Sequence, residues 1–491
     1  MALAESENKL YLDLVGTSVD MKTLVVYAYY GSLGRTAYLI VSRSPGGYEN
    51  SLLLAHADRA EPLDSTSAVP MLLSYRDTRP ALLMQTESGC YILKFAGGGD
   101  ALEREILEID VANIHPLHTS AFVDVTGSLL ADLVLETQRT DGRHLEVFVN
   151  RDGAFVKSEE TQLPDNIGPL CFADFSGNAL VDVSFVSKEN GTEYVNILLN
   201  SGTEGMRFQG TATKVPLDNI LPGYRVVTSR ADTEMPAGMF VADIFGNSVS
   251  QIVVAMKDQS SDIVRHVLIR NLGGGVFEPD VEMFAGLPSR RIASFCFTDV
   301  KNVGAEGLLL NYYENGNYLL SFYENTLADT KGYYIRAITC EDTQTRDNHG
   351  CALPGVSYRY RHIENGKRLV GFQLAQSSFP HLQHPFAFFG LGSAPYLVEL
   401  EGVGLPFYGR RGKVFTICQK IIPNSQILLQ PHAGRMKLRL NFFVAQNIRN
   451  VLFALVLVLF ANLAILSVLH VKNRRRRAKK HESVLFDFEA L

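Results

Sequence analysis

Aspartate residues recur at a fixed place in four segments of the first 335 residues. Asp124, Asp174, Asp243 and Asp299 each open one segment, and an asparagine near a turn follows each of them after 26 or 28 residues. These asparagines are Asn150, Asn200, Asn271 and Asn325. Oxygen-bearing side chains in such a pattern bind a hard cation such as calcium, or they cap a turn by accepting hydrogen bonds from its backbone. Both interpretations require the aspartates to lie on tight loops.

The residues around these aspartates predict the elements that hold the loops. Short apolar runs such as 133–135 and 145–149 are rich in β-branched and aromatic residues, and glycine-bearing turns bound them, so they predict antiparallel hairpins. A unit of about 50 to 60 residues cannot bury both faces of its sheet alone, whereas units packed radially can. The spacing therefore predicts the four-stranded blades of a β-propeller over residues 1–335, and two more degenerate copies before residue 115 bring the repeats to about six.

The repeats resemble the FG-GAP repeats of integrin α-chain propellers, whose aspartate-rich loops bind calcium. The resemblance implies candidate calcium ligands at Asp124, Thr126, Ser128 and Asp132 in the third repeat, and at Asp174, Ser176, Asn178 and Asp182 in the fourth. Two carboxylates per loop predict weak binding, at about 10⁻⁴ to 10⁻³ M. The fifth repeat has Phe245 and Gln251 at ligand positions, and the sixth has Lys301 and Gly307, so we expect both to be free of metal.

The repeat stops after about residue 335, but strand-like runs continue. Residues 336–440 contain GKRLVGFQLAQ, PYLVELEGV, KVFTICQKII and SQILLQP, which predict a β-sandwich. The strings FFGLG (388–392) and IIPNSQ (421–426) resemble the T-cell immunomodulatory protein family, which is described as integrin-α FG-GAP-repeat-containing and includes the linkin proteins. The resemblance implies a C2-type sandwich in an all-β fold, and a cell-surface glycoprotein that acts by binding in adhesion, tissue integrity or immune modulation.

A single apolar stretch predicts a transmembrane helix at 450–470. No charged residue occurs from Asn450 to Leu469, and about 20 helical residues span a hydrocarbon core of about 30 Å. The run RRRRAKK lies in the segment 471–491, directly after this stretch. The positive-inside rule therefore predicts a cytosolic C-terminal tail and a type I orientation, with the N-terminal body outside the cell or in a lumen.

A type I orientation calls for a signal peptide, and the first residues, MALAESENKLYLDLVG, have no basic start followed by an apolar run. We therefore expect the sequence to start late, with an incomplete first part of the propeller. The alternative is a tail-anchored protein with a cytosolic body.

Two further features depend on the compartment. Asn190 in the tripeptide NGT is an N-glycosylation sequon, or a chance tripeptide. Cys340 and Cys351 flank a polar stretch of ten residues, and they would either form a disulfide or remain separate buried thiols. Six cysteines in 491 residues do not make a disulfide scaffold.

Charge and motifs narrow the function. The net charge is −6, and residues 1–471 hold 39 basic against 49 acidic residues, which argues against nucleic-acid binding. Metalloprotease, serine-hydrolase, Walker and dinucleotide-binding motifs do not occur in the sequence. We therefore predict a non-enzymatic membrane protein that binds protein partners outside the cell or in a lumen, with calcium as its one candidate cofactor. The alternatives are a sorting receptor of the secretory pathway and a membrane-anchored glycan-binding or glycan-processing protein.

Overall fold

Antiparallel sheets dominate the computed structural model of the chain. It describes residues 23–489 except 31–35, 55–60, 76–78, 88, 96–101, 108, 110, 112, 209, 211, 219, 230–235, 262, 288–290, 300–303, 315–316, 327–331, 341–351, 365, 375–385, 393–396, 407–412, 433–434 and 443–445. The chain divides into two units, Met1–Asn441 and Phe442–Leu491. An all-β body and one C-terminal helix are both as the sequence predicts.

Six consecutive sheets form the first part of the body. Sheet 1 comprises β1 (Thr23–Tyr30), β2 (Thr36–Ser44), β3 (Gly47–Leu54) and β4 (Glu61–Pro62). Sheet 2 comprises β5 (Met71–Tyr75), β6 (Arg79–Thr86), β7 (Gly89–Phe95) and β8 (Leu102–Ile106). Sheet 3 comprises β9 (Ala121–Val123), β10 (Asp132–Arg139), β11 (Gly142–Arg151) and β12 (Ala154–Leu163).

The next three sheets continue the pattern. Sheet 4 comprises β13 (Cys171–Ala173), β14 (Asp182–Glu189), β15 (Thr192–Leu198) and β16 (Thr213–Pro216). Sheet 5 comprises β17 (Tyr224–Val226), β18 (Met239–Ala242), β19 (Gln251–Asp258), β20 (Val264–Gly273) and β21 (Val276–Asp280). Sheet 6 comprises β22 (Arg291–Thr298), β23 (Gly307–Glu314) and β24 (Asn317–Tyr323) among the described residues.

Neighbouring sheets share their cores. One apolar cluster joins β10 and β11 to strands of sheets 4 and 5, and a second joins β19 and β20 to sheet 6. The first six residues of β10, β14 and β19 are buried, although side chains of a strand alternate between faces. A sheet that is covered on both faces by its neighbours explains this pattern, and the arrangement is consistent with propeller blades.

Two four-stranded sheets follow and pack face to face around a second core. The first contains β25 (Tyr333–Thr339), β28 (Ala387–Gly392), β31 (Ser425–His432) and β32 (Arg435–Phe442). The second contains β26 (Val356–His362), β27 (Arg368–Gln373), β29 (Val398–Leu405) and β30 (Lys413–Ile421). We call these eight strands the sandwich. Because β25, the first strand of the sandwich, starts at Tyr333, the domain boundary expected between residues 335 and 336 falls inside this strand.

The C-terminal unit contains one helix, α1 (Gln446–Glu489). Its segment Leu452–Arg477 is long and apolar enough to cross a membrane. The helix extends well beyond the predicted span at 450–470 and includes the basic run. Arginine, lysine and alanine favour helix, and neither glycine nor proline interrupts the sequence after the span.

Candidate functional site

The aspartates lie on the loops that join β9 to β10, β13 to β14, β18 to β19 and β22 to β23. We call these the third loop (124–131), the fourth loop (174–181) and the fifth loop (243–250); the sixth loop runs from 299 to 306, and residues 300–303 lie outside the described residues. The candidate calcium ligands of the third and fourth loops lie on separate sheets, whereas Asp174 and Asp243, which open the fourth and fifth loops, line a common cavity. Each loop is a separate site, built by its own sequence.

Aspartate side chains hold the third loop in shape. Asp124 accepts hydrogen bonds from the backbone N–H groups of Ser128 (3.1 Å) and Leu129 (2.7 Å). Asp132 accepts bonds from the two N–H groups that follow Asp124, at 3.0 and 3.1 Å, and from the N–H of Asn150 at 2.9 Å. Leu129 has a φ of +69°, which these bonds help to hold. The aspartates therefore cap the turn, which is one of the two interpretations of the sequence.

The fourth loop repeats this arrangement. Asp174 accepts hydrogen bonds from the N–H groups of Gly177 (2.6 Å) and Ala179 (2.9 Å). Asp182 accepts bonds from the two N–H groups after Asp174, at 2.8 and 2.9 Å, and from the N–H of Asn200 at 2.7 Å. The same spacing therefore produces the same loop in two consecutive sheets.

The fifth loop keeps the hydrogen bonds without the second carboxylate. Asp243 accepts bonds from the N–H groups of Asn247 (2.9 Å) and Ser248 (2.6 Å). Gln251 stands where the other loops have aspartate, and its Oε1 accepts the N–H of Asn271 at 2.7 Å. An amide oxygen is sufficient for this structural role, so the loop shape does not depend on a metal-binding carboxylate at this position.

The repeat asparagines have a role that their spacing did not reveal. In three sheets, the side-chain amide donates to a backbone carbonyl in the loop of the preceding repeat. These bonds are Asn200 to Val125 (2.8 Å), Asn271 to Phe175 (2.8 Å) and Asn325 to Ile244 (2.7 Å). The asparagine is thus a hydrogen-bonded link between consecutive sheets, and its similar distance from the aspartate, 26 or 28 residues, was the only sequence signal for it.

The third loop has an oxygen set that fits a calcium ion. The hydroxyl of Thr126 lies 3.1 Å from Asp124 Oδ1 and 2.9 Å from the hydroxyl of Ser128, which lies 3.3 Å from the carbonyl oxygen of Leu130. Ligands at 2.3–2.6 Å from calcium are separated from one another by about 3 Å. Burial raises the pKa of Asp132 to about 7, and the charge of Asp124 adds to this effect. A bound cation would offset that repulsion.

The fourth loop fits a cation less closely. The hydroxyl of Ser176 is 3.4 Å from Asp174 Oδ1, and the side-chain oxygen of Asn178 accepts the N–H of Leu180 at 2.8 Å. Burial raises the pKa of both Asp174 and Asp182. The described residues contain no group of three or more histidine, cysteine or acidic side chains that could hold a metal. A cation in either loop would therefore depend on hydroxyl, amide and carbonyl oxygens, as in the ligand sets expected from the sequence.

The sandwich rests on the third loop. A Cβ atom added at Gly404 in β29 would lie 1.6 Å from the carbonyl oxygen of Leu129, so only glycine allows this approach. Arg359 in β26 donates a hydrogen bond from its guanidinium to the carbonyl of Gly127. The third loop, whose shape the aspartates hold, therefore also packs directly against the sandwich.

The fifth loop makes a similar contact with β28. The N–H of Gly392 donates to the carbonyl of Gly246 at 2.7 Å, and the hydroxyl of Ser248 donates to the carbonyl of Gly390. A Cβ atom at Gly390 would lie 2.1 Å from the carbonyl carbon of Gly246. The FFGLG string, which carried the family resemblance in the sequence, thus supplies the two glycines whose backbone contacts the fifth loop.

A buried ion pair joins the sixth loop to the sandwich. Arg336 in β25 lies 3.0 Å from Asp299, and both side chains are at most 6% exposed. The N–H of Gly304 also donates to Asp299 at 2.8 Å. The opening aspartate of the sixth repeat therefore serves as the partner of an arginine, and the absence of metal from this loop stays a prediction.

A cavity of about 160 Å³ lies between the fourth and fifth loops and the strands β27 and β28. Three acidic side chains line it: Asp174, Asp243 and Glu306. Burial raises the pKa of Asp243 to about 7, and Glu306 adds to the shift. The N–H of Asp243 donates to Glu306 at 3.0 Å, so the two residues are linked directly.

The two compartment-dependent features are placed differently. Asn190 lies at the exposed tip of the hairpin between β14 and β15, with a φ of +49°. Cys340 is buried and forms an isolated antiparallel bridge with Ala352. Cys351 lies outside the described residues, so the disulfide stays a prediction, as does glycosylation of Asn190.

A comparison with protein-family models gives a match to the second part of the body. Residues 348–439 match the model described as the C2 domain of ITFG1, which is integrin-alpha FG-GAP-containing protein 1. The matched region contains β26 to β31 and the first part of β32, and therefore most of the sandwich. A C2-type sandwich was expected here from the sequence. No curated protein matches the chain.

Proposed function

We propose that this protein is a non-enzymatic, single-pass type I membrane glycoprotein whose β-rich body binds another protein outside the cell or in the lumen of the secretory pathway. The candidate span in α1 supports membrane attachment, and the C2 match supports the resemblance to a family of binding proteins. Adhesion, tissue integrity or immune modulation are the roles that this resemblance implies.

One observation supports our choice of the surface that would bind the partner. The third, fifth and sixth loops contact the sandwich at one end of sheets 3, 5 and 6. Hairpins lie at the opposite ends of β10, β14 and β19, at 139–142, 189–192 and 258–264. We call these the hairpin ends. The tips in sheets 3 and 5 carry exposed side chains such as Asp141 and Gln259, so these two hairpin ends are the surface that we assign to the partner, while the hairpin end of sheet 4 carries the sequon at Asn190.

An added N-glycan that blocks access to this surface tests whether the surface binds the partner. The experiment uses the full chain displayed on cells. Gln259→Asn completes a glycosylation sequon with Ser261 at a hairpin end. Val156→Asn completes one with Ser158 on β12, away from the hairpin ends, and Val156 is 46% exposed. We expect adhesion of the displaying cells to fall with the first variant and to be unchanged with the second. Equal adhesion for both glycosylated variants would contradict the assignment.

We also propose weak calcium binding in the third and fourth loops. The oxygen separations in the third loop support it, and the ligands are those expected from the sequence. Millimolar calcium should raise the thermal unfolding temperature of the protein. Asp174→Ala combined with Asp182→Ala should abolish the contribution of the fourth loop to this calcium-induced shift, and Asp124→Asn should abolish the contribution of the third loop.

Asp243→Asn is the matched control, because the fifth loop lacks the second carboxylate. A calcium shift unchanged by all the loop variants would reject both sites.

A further inference from the structure

One polar side chain stands near the middle of the apolar part of α1. Arg449 and Lys472 are the charged residues nearest to this stretch on either side, and Asn462 lies between them. At 1.5 Å per residue, Asn462 is within about 2 Å of the midpoint of the uncharged stretch. In a membrane it would therefore lie at the depth where a polar group is most costly.

The helix satisfies only part of this amide. Asn462 Nδ2 donates to the carbonyl of Val458 at 2.9 Å, which uses one of its two N–H groups. The second N–H and the side-chain oxygen have no partner among the residues that the structure describes. Water would satisfy them outside a membrane, but hydrocarbon offers neither donor nor acceptor, so an unsatisfied polar group is strongly unfavourable there.

A second polar residue of α1, Ser467, has its only donor satisfied by a hydrogen bond within the helix. The hydroxyl of Ser467 donates to the carbonyl of Leu463 at 2.8 Å. A hydroxyl has a single donor, and this bond uses it. Ser467 can therefore face lipid without an unsatisfied N–H or O–H group, whereas Asn462 cannot.

The residues around Asn462 form a continuous apolar seam. Leu455 and Leu469 stand seven residues before and after it, and the pairs Val458–Leu459 and Ile465–Leu466 fill the positions between. Residues spaced by three, four and seven lie on one face of a helix, and this spacing suits packing against a second helix. Each of these side chains is exposed on α1.

We propose that α1 binds α1 of a second copy of this chain through a hydrogen-bonded pair of Asn462 side chains. An amide carries both a donor and an acceptor, so it is complementary to its own copy across a two-fold axis. Two copies inserted in the same direction place Asn462 at the same depth without further adjustment. The inference rests on the proposed function in one respect, that α1 spans the membrane.

The experiment uses the full chain in lipid vesicles, labelled after Leu491 with a donor or an acceptor fluorophore. Energy transfer is followed as the protein is diluted in lipid, which gives the dimerisation constant. We expect Asn462→Leu to weaken dimerisation by roughly 3- to 30-fold, the range that interhelical polar contacts contribute in membranes. Ser467→Ala should leave it unchanged, and Asn462→Gln should retain most of it because the amide is kept.

The outcomes separate the pairing from the membrane span. If alkaline carbonate releases the wild type from the membrane, both the span and the pairing are overturned, because the amide would then not lie in lipid. An integrated wild type that shows no transfer above random mixing would overturn the pairing alone. Equal transfer in the wild type and in Asn462→Leu would do the same, since the leucine variant keeps the apolar seam and the span.

Discussion

At the scale of single residues, the polar side chains of the repeats mainly bond to backbone. The aspartates of the third, fourth and fifth loops each accept two N–H groups of their own loop. The repeat asparagines then donate to the preceding repeat. Buried polar groups are tolerated when they are satisfied in this way, and removal of one partner leaves the other without a bond.

Loss of a repeat asparagine should therefore weaken the junction of two sheets. Asn200→Ala removes the bonds to the carbonyls of Val125 and Val181. Because Asn200 is only 2% exposed, water cannot easily replace them, and we expect the free energy of unfolding to fall by about 1–3 kcal/mol. Chemical denaturation of the full chain in detergent measures it. Asn166→Ala, at an exposed position, is the control, and an equal loss in both variants would argue against the link.

Asp243 should make the stability of the body depend on pH. Its folded pKa of about 7 lies above the ordinary value of 3.8, because burial and Glu306 disfavour its charge. The folded state then binds more protons than the unfolded state between about pH 4 and 7, so the stability contributed at low pH is lost as pH rises through that window. The loss is on the order of 2–4 kcal/mol.

Asp243→Asn tests this assignment, since an amide does not titrate. The advantage of the wild type over the variant should shrink as pH rises from about 4 to 7 and stay constant above that. Denaturant melts at several pH values measure both proteins in parallel. A constant difference across the whole range would show that Asp243 does not titrate in this window.

At the scale of elements, glycines in the sandwich strands permit direct contact with the loops. Gly404 and Gly390 each approach the backbone of a loop more closely than any residue with a Cβ atom could. The contact joins the third loop to β29 and the fifth loop to β28. These loops are thus shaped by aspartates on one side and covered by strands on the other.

Two neighbouring glycines of β29 provide a graded test. Gly404→Ala would place Cβ against the carbonyl oxygen of Leu129, which backbone movement alone can relieve, so we expect a loss of about 1–3 kcal/mol in unfolding free energy. Gly402→Ala would meet the end of the Leu129 side chain at 2.9 Å, which can rotate away, so its effect should be smaller. Hydrogen exchange of the third loop should accelerate in Gly404→Ala. Equal effects of the two variants would contradict the contact.

The sequence predicted elements whose signals are local and missed contacts between distant segments. The apolar runs 133–135 and 145–149 fall in β10 and β11, as their composition indicated. The link from Asn200 to Val125 was not predicted, because its acceptor is a backbone carbonyl in another repeat and any residue supplies one. The role of Gly404 was equally invisible, since a glycine in a strand does not reveal what approaches it.

At the scale of the whole molecule, one charge asymmetry predicts which side of the membrane each unit occupies. The basic run from Arg474 to Arg477 follows the span within α1, and the acidic body precedes it. The positive-inside rule then assigns the tail to the cytosol. In that orientation the body enters a compartment where both glycosylation and disulfide formation occur.

Glycosylation of Asn190 is the direct consequence of this orientation. The residue lies at the exposed tip of the hairpin between β14 and β15, followed by Gly191 and Thr192, so the transferase can reach it. In cells, we expect the full chain to carry one glycan that slows its migration on a gel. Asn190→Gln should remove this shift, and Asn166→Gln, which lies outside any sequon, should keep it.

Protease added to sealed membranes should digest a tag after Leu491 and spare the body. An unglycosylated body that is digested would place it in the cytosol, where Cys340 and Cys351 would stay reduced and the partner would be cytosolic.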